Sequence, residues 1–369
     1  MAAARGVDPT PKNIERLAAA HGPEVARWAF LQWQLRERAK AKFARAEEML
    51  FDRPGLEMST HERVAAYHAS RFPAGELIAD LTCGIGADLI ALAQRGQGVG
   101  FELDPQRSEY AKWNLAVHGA SSGSVRVEDC LAAEWSFKFA FADPARRTQS
   151  ARTWNPQEFE PHPIELAKRF ESLELAGMKL SPMIRDDFFR HLPGELEFVS
   201  FGGECREAVV WMGRQAGRTR SAVLLGSADF RSAALRLEAA IAPAPKAEAA
   251  LRFLYEADPA AIRAHALGTL AVETRTQLLG DSNGYLTSDA MVENPWLTGF
   301  EVLADHPADL RQTNQVLRSL NAGTPVIKSR VPRLEAEQLR RQFRGDGREL
   351  IVAVYPVGKK LRHAVLQRL

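Results

Sequence analysis

Asp80-Leu81-Thr82-Cys83-Gly84-Ile85-Gly86-Ala87-Asp88 joins an apolar run, residues 77–81, to a stretch in which Leu89, Ile90, Leu92 and Ala93 recur at helical spacing. A strand that turns through two glycines into a helix brings its backbone close to a ligand and offers it the free N–H groups of a helix N-terminus. A dinucleotide fingerprint needs a third glycine for close helix packing, and the position where it would fall is Leu89. The strand ends on an acid, Asp80, which suits an ammonium group and a cationic ligand better than a diphosphate.

Outward from this turn, short β-rich runs alternate with helix-length segments. Strands are expected at residues 77–81, 99–103, 125–127, 139–142, 178–180, 196–201, 208–212 and 222–225. The alternation predicts a doubly wound, mostly parallel sheet, and the closely spaced runs from 198 to 225 predict an antiparallel end. Each early strand finishes near a carboxylate. Glu102 closes the second, where a carboxylate can accept both hydroxyls of a ribose, and Asp104-Pro105 reads as the cap of the next helix. Glu128-Asp129-Cys130 follows the third strand, where an acid can accept an adenine amine and a backbone N–H can reach a ring nitrogen. Phe141-Ala142-Asp143-Pro144-Ala145-Arg146-Arg147 delivers a fourth acid to the same edge, the one at which open α/β sheets bind ligands.

The 369 residues are 46% apolar and 25% charged, a globular composition long enough for about two domains. Cys83, Cys130 and Cys205 stand far apart with no CxxC or HExxH pair, so no metal site and no disulfide framework is expected. No apolar run approaches the ~20 residues of a membrane span. Met1 to Gly6 lacks the apolar core of a secretion signal, and a cytoplasmic setting is expected. Residues 308–369 carry 13 Lys/Arg against 5 Asp/Glu, whereas the rest of the chain carries 35 against 41. That basic end suits a phosphate backbone, or is a solvated Arg-rich face.

At the N-terminus, Leu35, Ala39, Phe43, Ala46 and Leu50 predict one helix, broken at Pro54-Gly55. Ser59 and Glu62 have capping-box spacing ahead of a short helix through Val64 and His68. Residues 239–250 read as an Ala/Pro-rich linker and 260–270 as a helix. Further strands are expected at 326–328, 351–355 and 364–366, with an amphipathic segment at 334–343.

From Val64 to Leu225 the chain resembles a class I S-adenosylmethionine-dependent methyltransferase. DLTCGIGAD, FELDP, EDC and DPARR, with Gly284 to Asp289, Val326 to Arg330 and the last twenty residues, resemble bacterial members that carry a C-terminal THUMP-like domain, relatives of the trimethylguanosine-synthase type of RNA methyltransferase. The resemblance implies a seven-stranded Rossmann-like sheet with an antiparallel terminal hairpin, an N-terminal helical extension and a small C-terminal α/β domain. It divides the chain into residues 1–62, 63–236, 237–282 and 283–369. It implies S-adenosyl-L-methionine as cofactor, with Asp80, Thr82, Cys83, Gly84 and Gly86 at its methionine end, Glu102 and Leu103 at the ribose, and Asp129 and Cys130 at the adenine. Asp143 and Pro144 would face the methyl acceptor.

In related enzymes that methylate amines, Asn/Asp-Pro-Pro is followed by an aromatic; here Ala145 and Arg146 follow Pro144. Asp143 and the Pro144 carbonyl can accept the two N–H groups of an exocyclic amine and aim its lone pair. Arg146 and Arg147 read as phosphate contacts or local ion pairs, and Trp154 as a base-stacking or core residue. Lys328 and Arg330 are further candidates for substrate contact. The acceptor these features imply is tRNA or rRNA, at guanine N2 or another base nitrogen. A small-molecule or protein acceptor, and an inactive RNA-binding module, remain alternatives.

Overall fold

In the computed structural model, residues 4–145, 155–226, 234–240, 243–332 and 334–369 are described. Thr10 caps the first helix, α1 (Pro11–His21), by accepting from the Asn13 N–H, and Gly22, at φ 88°, turns the chain into α2 (Pro23–Ala39). The helix expected to continue to Leu50 stops at Ala39. Arg36 donates to the Met49 carbonyl at 2.9 Å and to the Glu48 carbonyl at 3.3 Å, folding residues 40–49 back in turns. Phe43 and Ala46 still reach the same core as Leu35 and Ala39, so the apolar spacing survives without the helix.

Pro54-Gly55 does not break a helix but starts one, α3 (Arg53–Met58), with proline in the first turn. A side chain at Gly55 would meet Asp52 Oδ1 at 2.2 Å and Ile85 Cγ2 at 2.7 Å, so glycine lets α3 press against the turn after the first strand. The capping box is absent. His61 takes the cap position of α4 (Glu62–Ser70), accepting from the Arg63 N–H, while Ser59 donates to Leu56 and Glu62 accepts from Ala44.

The sheet begins with β1 (Leu77–Asp80), α5 (Ala87–Arg95), β2 (Gln97–Glu102), α6 (Pro105–Val117), β3 (Gly123–Val127), β4 (Phe139–Ala142), α7 (Pro163–Phe170) and β5 (Leu175–Leu180). It continues with α8 (Asp186–Phe189), β6 (Glu195–Phe201), β7 (Glu204–Met212), β8 (Arg220–Leu225) and β9 (Leu235–Glu238). The strand order is β3-β2-β1-β4-β5-β7-β6-β8-β9. The first five are parallel and β7 runs antiparallel to β5, the predicted ending. Among the described residues the sheet has nine strands rather than seven. The extra β9 buries only Leu237, too little apolar sequence to announce a strand.

The chain divides into one compact unit of Met1–Leu196 with Ala208–Arg218 and a second of Glu197–Glu207 with Thr219–Leu369. Within the second lie β10 (Lys246–Ala247), inside the expected linker, then β11 (Phe253–Ala257), α9 (Pro259–Arg263), α10 (Leu267–Thr274), β12 (Gln277–Leu279), β13 (Tyr285–Ser288) and β14 (Leu297–Pro307). They are followed by α11 (Leu310–Ser319), β15 (Val326–Ser329), α12 (Ala336–Arg340), β16 (Ile351–Val357) and β17 (Lys360–Arg368). The single helix expected over 260–270 is two, separated around His265 at φ 62°. The eight-stranded sheet runs β10-β12-β13-β11-β14-β17-β16-β15. Alternation along β16 sends Ile351, Ala353 and Tyr355 into one core and Val352 and Val354 into another, which is why that run is apolar throughout.

His363 on β17 is buried, with Nδ1 2.9 Å from the Thr313 hydroxyl of α11. Burial, then the neighbouring His306, lowers it to about 4. An imidazole that is harder to protonate when folded contributes stability above its unfolded pKa near 6.5 and loses it as pH falls toward 4. His363→Gln is therefore expected to flatten the acid-side loss of stability by about 2 kcal/mol, read as the difference from wild type in urea unfolding at pH 7 and pH 4.5.

Candidate active site

A cleft of about 720 Å³ opens at the carboxyl ends of β1 to β4. Its floor is the turn between β1 and α5. Leu81 N–H donates to the Phe141 carbonyl and Cys83 N–H to the Phe101 carbonyl, both at 2.9 Å, pinning the turn to β4 and β2. Gly86 adopts φ 89°, a left-handed conformation that favours glycine, and a side chain there would lie 3.3 Å from the Ala111 backbone of α6. No side chain caps α5, so its first N–H groups remain for a ligand.

Thr82, Cys83, Gly84, Glu102, Leu103, Asp129 and Cys130 all line this cleft. Glu102 lines the cleft and accepts the Asp104 N–H on Oε1 at 2.8 Å. Asp104 caps α6 by accepting from Gln106 and Arg107, as its sequence position predicts. Leu103 is 69% exposed, an apolar surface for a flat ring at the mouth. Asp129 Oδ1 accepts the Leu131 N–H at 2.8 Å. Burial, then Asp129, pushes the Cys130 thiol up to about 12, so Cys130 offers its backbone rather than a thiolate.

Two expected cofactor contacts do not line the cleft. Asp80 is 2% exposed behind the turn, where it accepts the Thr82 N–H at 3.2 Å. Burial, then the neighbouring Asp88, pushes its carboxyl well above the usual range. Gly86 is likewise buried against α6. Both shape the turn from behind, because β1 ends one residue before the chain emerges at the cleft.

At the opposite end stand Asp143, Pro144 and Ala145. The Asp143 N–H donates to Thr82 Oγ1 at 2.7 Å, and Ala145 exchanges backbone hydrogen bonds with Glu160, drawing residues 157–165 along one wall. His162, in sequence an ordinary loop residue, caps α7 and lines that wall. Asp143 Oδ2 lies 2.5 Å from Lys179 Nζ. Lys179 also donates to Thr60 Oγ1 at 2.9 Å, Thr60 donates to Asp88 Oδ2 at 2.6 Å, and Asp88 Oδ1 lies 2.8 Å from His68 Nδ1. Burial alone would raise Asp88, but hydrogen bonding and charge from His68, with Lys179 and Thr60, hold it below the usual carboxylate range. These four residues escaped sequence reading. The one signal was Lys179, a lone charge in the otherwise apolar run Leu175–Leu180.

Arg146, Arg147 and Trp154 lie outside the described residues. Lys328 and Arg330 stand on and just after β15, where both pair with Glu256 at 2.5 and 2.9 Å. Among the described residues the cleft is lined by nine Asp and Glu and one basic side chain of the Lys/Arg type, Arg107, itself paired with Asp52. Such a lining attracts a cation and repels phosphate. No group of three or more metal-ligating side chains occurs among the described residues. No helix among them is long and apolar enough to cross a membrane.

Residues 297–368 match the family described as THUMP domain-like. Over 345 residues, 90% of this chain and 93% of the relative, the sequence is 30% identical to an uncharacterized S-adenosylmethionine-dependent methyltransferase of Mycobacterium tuberculosis, found in strains CDC 1551 and H37Rv. The fold is shared, at a TM-score of 0.76 and 21% identity, with a crystal structure assigned as a methyltransferase from Porphyromonas gingivalis W83, covering 99% of this chain and 93% of that one. An acidic cleft of this size, lined by Glu102 and with no side chain capping the N-terminus of α5, fits a cationic sulfonium nucleoside that also carries a carboxylate. Glu102→Gln is expected to weaken S-adenosylmethionine binding roughly 10-fold or more, the loss of a hydrogen bond to a charged group, measured by calorimetry.

Proposed function

Because this chain belongs to the S-adenosylmethionine-dependent methyltransferases, we propose that it methylates a base nitrogen, an exocyclic amine of the guanine N2 type, in tRNA or rRNA. The observation that carries this reading is Asp143-Pro144 at the carboxyl end of β4, lining the cofactor cleft and backed by a buried lysine. In support, the C-terminal segment is of a THUMP-like type associated with RNA, and residues 308–369 hold the basic excess. We take residues 63–236 as the transfer domain and 283–369 as the RNA-recognition domain, with Lys328 and Arg330 in the latter.

S-adenosylmethionine supplies an electrophilic methyl group on a positively charged sulfur. The protein's task is then positioning. An exocyclic amine is a weak nucleophile, since its lone pair is delocalised into the ring. The Asp143 carboxylate and the Pro144 carbonyl accept its two N–H groups and turn the lone pair toward the donor, while the carboxylate stabilises the positive charge that grows on nitrogen. Lys179 Nζ engages that carboxylate on Oδ2, at 2.5 Å. The acidic walls admit a base edge carrying N–H donors and keep the phosphate backbone outside, on basic surface.

Asp143→Ala is expected to lower transfer by about 100-fold or more while leaving S-adenosylmethionine affinity within about threefold. The assay is labelled donor with total RNA from a strain lacking the gene, followed by mass spectrometry of the nucleosides. Transfer to RNA should also weaken steeply as salt rises. Label that appears only in RNase-resistant material, without salt dependence, would sink the RNA reading.

A further inference from the structure

We infer that Lys179, held by Thr60 and the Asp88–His68 pair, is a positioning residue for Asp143: Lys179 and His68 lie behind the cleft that Thr60, Asp88 and Asp143 line, and Lys179 acts on the transfer step through the Asp143 carboxylate. The inference rests on the proposed role of Asp143. Lys179 is 7% exposed and sits on a strand whose other side chains are buried and apolar. An ammonium that deep is costly unless every donor is used, so its partners are fixed rather than exchanged with water. The direction of each link follows from chemistry. Lys179 has only donors, so Thr60 Oγ1 must accept from it and spend its own hydrogen on Asp88. Asp88 in turn accepts on its second oxygen from His68, which is fully buried.

Both ends of this chain are tied to the same strand. One end is the Asp143 carboxylate, just past β4. At the other, the His68 ring stacks on Phe141 of β4 with centroids 4.5 Å apart and planes 27° from parallel. The contacts therefore close a ring around the end of β4, through β5, the segment between α3 and α4 that carries Thr60, α5 and α4. A displacement of Lys179 or Thr60 is passed to the carboxylate that faces the acceptor. The charges facing the centre of this ring are Asp80, Asp88 and Asp143 against Lys179 and His68. Burial raises the Asp80 carboxyl, while Asp143 and Asp88 are contacted by Lys179 and His68 respectively. A buried ion network is weak evidence for stability in itself. Its placement directly behind the acceptor-facing acid points to geometry at that acid.

The test compares Lys179→Met, Thr60→Val and Thr60→Ser with wild type and Asp143→Ala in single-turnover methyl transfer. The acceptor is an extract of a strain lacking the gene, used both intact and after RNase treatment. Lys179→Met is expected to slow transfer about 100-fold and Thr60→Val about 10-fold, with S-adenosylmethionine affinity within about threefold of wild type, because a small misplacement of a reacting group has effects of that order. Thr60→Ser, which keeps the hydroxyl, should restore transfer to within about twofold of wild type. A purely structural role would lower the melting temperature and cofactor affinity together and would not follow the hydroxyl. Folded Lys179→Met or Thr60→Val protein that transfers methyl at the wild-type rate, beside an inactive Asp143→Ala, overturns this inference and leaves the proposed function standing. Should Lys179→Met not fold, the Val/Ser pair at Thr60 decides. An active Asp143→Ala enzyme overturns the role of Asp143 and this inference with it; transfer that survives RNase overturns only the RNA acceptor.

Discussion

Three carboxyl groups, Asp80, Asp88 and Asp143, crowd together at the floor of one cleft, and they cannot all remain ionised in a low-dielectric site without compensation. The fold resolves this in three different ways. Burial raises the Asp80 carboxyl, His68 helps hold Asp88 below the usual carboxylate range, and Asp143 is given Lys179 as a counter-ion. The turn between β1 and α5, the approach of α4 and the choice of lysine on β5 all serve that balance. Loss of any one of them leaves a buried charge unpaired, which costs more than the pair itself contributes.

The same crowding explains why the cleft suits its cofactor. Parallel strands place their carboxyl ends along one edge, where Glu102, Asp129 and Asp143 project from neighbouring segments. A sulfonium and an ammonium are welcome against such a wall, whereas a diphosphate is not. The charge of the cleft therefore favours a cationic nucleoside, with acceptors on β2 and after β3 along the same edge.

Much of the fold is written locally. The run from Leu77 through Gly86 into Leu89 carries its strand, its turn and its helix in sequence, and every strand expected from β1 to β8 is present. Where reading failed, a tertiary contact outweighed a local signal. Arg36 reaches the carbonyls of Met49 and Glu48 and folds back a chain whose apolar spacing alone would extend α2. His61 displaces Ser59 as a cap because α3 already uses Ser59 at its own end. β9 and β10 bury too little apolar surface to be visible without the partners they pair with.

The sequence alone determined the class of the protein, since glycine spacing, strand-end acids and the Asp143-Pro144 pair are chemistry confined to short stretches of chain. It did not reveal which acids meet solvent and which are sealed. Asp80 looked like a ligand contact because it ends a strand, yet the chain reaches the cleft one residue later and leaves it behind. Lys179, Thr60, Asp88 and His68 are separated by up to 119 residues, and only packing of α4, α5 and β5 around β4 makes them neighbours. Residues far apart in sequence become one electrostatic unit through burial, which no local pattern encodes.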